Sequence, residues 1–126
     1  MIKEINIQST KREELIDVTS KVQELIDIEE GLCVVFCPHT TAGITINENA
    51  DPDVNKDILM KLNKEIPKDE GYAHSEGNSD AHIKTSLIGS SETIIIENGK
   101  LKLETWQGIK FAEFDGPRNR KVIIKT

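Results

Sequence analysis

The chain has 126 residues, 37% hydrophobic and 30% charged, which suits one globular domain with one core. A formal net charge of -6 argues against a broad basic face for nucleic acid, and one Trp, one Tyr and three Phe are too few for a base-stacking platform. No apolar run approaches the roughly 20 residues that cross a bilayer, and the N-terminus lacks the apolar stretch of a signal peptide. The expected protein is cytoplasmic, with no nucleic-acid or membrane partner.

Residues 2–8 alternate and read as a strand. Residues 18–28 carry Val18, Val22, Leu25 and Ile26 at helical spacing. A buried strand follows at 32–37 and an alternating, β-branched one at 43–48, with Ile44 and Ile46 inward. Asp51-Pro52 opens a helix whose stripe is Val54, Ile58, Leu59, Leu62 and Ile66, and Pro67 stops it. Residues 67–79 are nearly devoid of apolar side chains and read as a long surface loop, a common place for function. Ser79 is the expected cap of a short helix, 80–88, ended by Gly89.

The C-terminal third reads as β. Ile94 to Leu103 is a hairpin around Asn98-Gly99, pairing Glu97 with Lys100 and Ile96 with Leu101. Strands at about 108–114 and 120–125 follow. With no repeat or linker, residues 1–126 form a single domain. Its expected class is α+β: a mostly antiparallel sheet or sandwich of six or seven strands with three helices.

All three histidines lie in two polar clusters. His39 stands in Cys37-Pro38-His39-Thr40-Thr41-Ala42-Gly43, and His74 and His82 bracket Ser75-Glu76-Gly77-Asn78-Ser79-Asp80-Ala81. Imidazole is the commonest metal ligand and carries protons near neutral pH. Three imidazoles can hold Zn²⁺ with a position open for substrate, although this spacing matches no local metal motif, and hydrogen-bonding loop histidines would look the same. Glu76 reads either as a general acid/base or as a solvated carboxylate. Glu48 and Asp51 are candidates to orient a histidine, and Asp51 equally reads as a plain helix cap. Arg118 and Arg120 suit a phosphate or carboxylate, or simply form a charged loop. Cys33 and Cys37 are about 13 Å apart along one strand, too far for a disulfide, and read as buried thiols. Trp106 reads as a core or subunit-contact residue.

Three segments then occur in order: His39 to Val54, His74 to Lys84 and Thr105 to Ile109. Together they make the chain resemble the secondary thiamine-phosphate synthase family over nearly its whole length. The resemblance implies a compact α+β homotrimer with the histidine clusters at a shared cleft. It implies His39, His74 and His82 as metal ligands, with zinc expected and magnesium the choice for a pyrophosphate substrate. Thr40, Asn47, Glu48, Gly77 and Asn78 fall in the family's motif segments. For that site the catalytic candidates are His39, Thr40 and Glu76, and substrate contacts are expected at Thr41, Asn47, Glu48, Gly77, Asn78, Arg118 and Arg120. Glu104 departs from the family, which often has glycine there. The implied reaction joins a pyrimidine pyrophosphate to a thiazole phosphate and releases pyrophosphate, as a weak or secondary activity. Magnesium prefers oxygen ligands to imidazoles, which counts against that reaction as the native role. A metal-dependent hydrolase and a non-catalytic binding protein are the alternatives.

Overall fold

The computed structural model describes residues 1–126. The strands are β1 (Ile2–Gln8), β2 (Glu14–Asp17), β3 (Glu30–Phe36), β4 (Ala42–Glu48), β5 (Ser91–Glu97), β6 (Lys100–Leu101), β7 (Gln107–Glu113) and β8 (Asn119–Lys125). The helices are α1 (Thr19–Gln23), α2 (Pro52–Glu65) and α3 (Ser79–Ile88). Every strand pairing is antiparallel, in a five-stranded sheet β1-β8-β3-β5-β6 and a three-stranded sheet β2-β7-β4. The α+β expectation holds, with eight strands and three helices.

The period-2 alternation explains the layers. Ile5, Ile7, Cys33, Val35, Ile94, Ile96, Val122 and Ile124 point inward from the large sheet. They meet Ile44, Ile109 and Phe111 of the small sheet in one core. The central strand β7 is buried on both faces, as expected of a strand covered from two sides. Its other face carries Lys110 and Ala112, and Ala112 packs with Ala81 and Phe114 beneath Leu59, Leu62 and Ile88 of the helices. The order of layers is large sheet, small sheet, helices.

The hairpin forms in the expected register, Ile96 opposite Leu101 and Glu97 opposite Lys100. Asn98 and Gly99 sit at φ 53° and 75°, the left-handed pair that a type I′ turn requires. Asp51 caps α2, its side chain accepting the Asp53 N–H at 2.9 Å. Three local expectations are corrected. The 18–28 helix stops at Gln23, because Leu25 and Ile26 donate to carbonyls only three residues back and the chain unwinds. Gln23 instead spans to the hairpin, bonding Gly99 and Leu101. The cap of α3 is Asn78 rather than Ser79, and its side chain bonds Asp115 instead of the helix amides. Trp106 lies in a turn and is 63% exposed, so it is no core residue. Strand β2, four residues long, is too short to leave a periodic signal.

Candidate functional site

Four separate segments build one polar cleft of about 340 Å³. The β3–β4 loop brings His39, Thr40 and Thr41; the loop before α3 brings Glu76 and Asn78; α3 brings His82; the turn into β8 brings Asp115, Arg118 and Arg120. Apart from Pro38, every side chain that lines it is polar or charged. One close approach sets the geometry. A Cβ on Gly43 would stand 2.5 Å from the Gly89 carbonyl, so only glycine lets β4 and the end of α3 meet here. That carbonyl accepts the Ile44 N–H at 3.0 Å.

Arg120 is 4% exposed and is held by Glu113, itself fully buried. Nε donates to Oε1 at 2.9 Å and Nη2 to Oε2 at 2.5 Å, and Nη2 also donates to the Thr41 hydroxyl at 2.8 Å. Burial pushes the Glu113 carboxyl up, but hydrogen bonds from Arg120 and Ser9 outweigh it and keep it below the usual carboxylate range. Nη1 of Arg120 has no partner in the chain. Arg118 donates to the Asp115 carboxylate at 3.1 Å, and the Asn78 amide donates to the same carboxylate at 2.8 Å. Each arginine therefore has its own carboxylate, and Glu76 adds another. With neutral histidines the cleft has no surplus positive charge.

His39 accepts the Lys121 backbone N–H at Nε2, 2.9 Å away. This selects the neutral tautomer with its proton on Nδ1. Burial and the nearby Arg120 hold its pKa below the usual imidazole value. His82 and His74 meet edge to face, ring centroids 5.5 Å apart, and His74 Nε2 lies 3.6 Å from Glu76. His74 lines a neighbouring recess with Tyr72, Ile83 and His82.

The helix that carries His82 is pinned from beneath. Asp80 is fully buried, binds Arg12 through both oxygens at 2.9 and 3.2 Å, and takes the Lys84 ammonium at 2.9 Å. Lys84, also fully buried, reaches Asn63 on α2 at 2.6 Å and Glu13 at 3.2 Å. Asp80 and Lys84 share the inner face at i, i+4, and His82, two residues from each, is left on the outer face.

Eight of the expected residues thus meet: His39, Thr40, Thr41, Glu76, Asn78, His82, Arg118 and Arg120. Gly77 makes the left-handed turn, φ 78°, just before Asn78. Asn47 and Glu48 are not brought to the cleft. They end β4 opposite Gly108 and Gln107, about 20 Å along the strand from Ala42. There the buried Lys110 bonds the Glu48 carbonyl and the Asn55 side chain, tying the sheet to α2. Cys33 and Cys37 are buried, and burial pushes both thiols up to about 11. Asp115 and Glu113 escaped the sequence reading. Asp115 begins the turn that presents Arg118, but nothing local marks Glu113, whose partners are far away in sequence or across a turn.

Within one chain the three expected zinc ligands are divided between two recesses, His39 and His82 in the cleft and His74 with His82 in the neighbouring one. No group of three His, Cys, Asp or Glu side chains is positioned to hold one ion, and His39 Nε2 is already engaged by a backbone amide.

A family model described as UPF0047 protein YjbQ-like matches residues 3–126. A UPF0047 protein of Methanocaldococcus jannaschii is 55% identical over 128 residues, covering 99% of this chain and 93% of that one. The UPF0047 protein YugU of Bacillus subtilis is 52% identical over 129 residues, covering 99% and 98%. A crystal structure of a YjbQ/UPF0047 protein from Clostridium acetobutylicum is 60% identical with a TM-score of 0.96, covering 98% of each chain. A YbjQ-like protein of unknown function from Sulfolobus solfataricus keeps a TM-score of 0.94 at 29% identity, covering 98% of this chain and 94% of that one. No helix is long and apolar enough to cross a membrane.

Proposed function

The chain belongs to the UPF0047 YjbQ-like family, and on that premise we propose that it is an enzyme that binds a small phosphorylated substrate in the His39–His82 cleft. The observation that carries the reading is the meeting of two histidines with Arg118 and Arg120 in one water-accessible cleft. The named form of the reaction is thiamine-phosphate synthesis. The ring nitrogen of a thiazole phosphate forms a bond to the methylene carbon of a pyrimidine pyrophosphate. The carbon–oxygen bond breaks, and its electron pair leaves with pyrophosphate.

The chain's own groups suit that departure. Arg120 Nη1, the Arg118 guanidinium and the Thr40 and Thr41 hydroxyls offer donors to an oxyanion. Because the cleft has no surplus positive charge, an anion enters most easily when a histidine takes up a proton. That proton, on His82, whose ring nitrogens make no hydrogen bond within the chain, is then available to the leaving pyrophosphate.

The test is titration calorimetry with inorganic phosphate at pH 6 and pH 8, followed by a thiamine-phosphate assay. Phosphate should bind more tightly at pH 6. Arg118→Ala should weaken it by about tenfold or more, the value of one charge-assisted hydrogen bond. Chelator treatment should leave the affinity unchanged. Failure of phosphate to bind at either pH would sink the reading, and binding abolished by chelator would reinstate zinc or magnesium. The homotrimer is part of the same proposal, and light scattering at micromolar concentration tests it, with a monomer as the refuting result.

A further inference from the structure

Four buried side-chain oxygens have no hydrogen-bond partner in the chain: Glu48 Oε2, Asn78 Oδ1, Thr85 Oγ1 and Thr126 Oγ1. Two belong to residues that line adjoining recesses. Asn78 lines the histidine cleft, and Thr85 lines a second recess of about 420 Å³ that shares Thr40 and His82 with it. No hydrophobic residue lines the second recess, which is completed by Ser86, Gly89 and Ser90.

Both orphaned atoms are well defined. The Asn78 amide must turn its NH₂ to the Asp115 carboxylate, at 2.8 Å, so the unpartnered atom is the carbonyl oxygen, which only accepts. Thr85 is 8% exposed in the interior of α3. A hydroxyl there ordinarily bonds the carbonyl four residues back, as Ser86 does to His82 at 2.9 Å. Thr85 makes no such bond. A buried polar atom without a partner destabilises the free protein, and its presence calls for an explanation.

We propose that the Thr85 recess is a second subsite, continuous with the cleft, which takes the hydroxyl-bearing part of a polyol phosphate. The proposal rests on the cleft being the phosphate site, and it departs from the thiamine-phosphate form of the reaction, whose two substrates carry no polyol. A phosphate or carboxylate at Asn78 would set acceptor against acceptor. An ammonium group would stand beside Arg118 and Arg120. Neutral hydroxyls donate to Asn78 Oδ1 and exchange hydrogen bonds in either direction with Thr85 and its serine neighbours.

The experiment is titration calorimetry with inorganic phosphate, ethyl phosphate and ribose 5-phosphate against the wild type, Thr85→Val and Thr85→Ser. Ribose 5-phosphate should bind about tenfold more tightly than ethyl phosphate to the wild type, the worth of one or two hydrogen bonds. Thr85→Val should lose most of that preference and keep inorganic phosphate within about twofold, and Thr85→Ser should recover it. The Tm of Thr85→Val should be no lower than wild type, since no internal bond is lost. Equal affinity for the two esters, an unchanged preference in Thr85→Val, or a clear fall in its Tm would overturn the subsite while phosphate binding stands. Failure of all three ligands to bind would overturn the cleft reading and the subsite together.

Discussion

Neutralising Glu113 should have the widest effect of any single change near the cleft. Its carboxylate accepts four hydrogen bonds: from Ser9 Oγ at 2.7 Å, Asp115 N–H at 3.1 Å, Arg120 Nε at 2.9 Å and Arg120 Nη2 at 2.5 Å. Glu113→Gln keeps the shape, turns an NH₂ group toward at least one donor, and leaves the buried Arg120 guanidinium without its counter-charge. Removing one partner of a buried pair costs about 3–5 kcal/mol. At about 4 °C per kcal/mol for a domain of this length, Tm should fall by roughly 12–20 °C, read by circular dichroism. The double variant Glu113→Gln/Arg120→Met removes both charges and should regain more than half of that fall. A fall under about 4 °C in the single variant would refute the reasoning, as would a double variant no more stable than the single. The acid side supplies a second check. Because the Glu113 carboxyl is held below its ordinary value of about 4.3, its contribution is present above that pH and is lost as pH falls through the lower folded value. The single variant should lack that acid-side loss.

Asp80→Ala should cost about 3 kcal/mol, because the buried Lys84 keeps only Glu13 and Asn63; faster hydrogen exchange in α3 and a shifted His82 resonance are the readouts, and unchanged α3 protection would contradict the clamp. His39, held below the usual imidazole value, contributes stability above about pH 6.5 that is lost as pH falls through its lower folded value. His39→Gln should flatten the stability profile between about pH 5 and 7 in urea titrations, and an identical profile would show that His39 is not the titrating group.

Much of the fold was legible because its signals are local. Alternation marked β1, β3 and β4, Asp51-Pro52 marked the start of α2, and Asn98-Gly99 specified the hairpin down to its register. Helical spacing misled at 18–28, where the same apolar side chains reach the core from an unwound segment. For the site, side-chain chemistry picked out the histidines, arginines, Glu76 and Asn78, since few residue types bind anions or move protons near neutral pH. Motif membership also drew in Asn47 and Glu48, and only the course of β4 shows that they stand at its far end.

The sequence alone determined which residues are available for chemistry and which segments are strands, helices and turns, because propensity and periodicity act over a few neighbours. Tertiary structure decided which of those residues meet. The Arg120–Thr41 hydrogen bond closes 79 residues, and the contact of Arg12 with Asp80 closes 68. It also decided that each arginine has its own carboxylate and that Thr85 has no partner at all. Charge compensation and hydrogen-bond satisfaction depend on distances between segments far apart in the chain, and no local pattern encodes them.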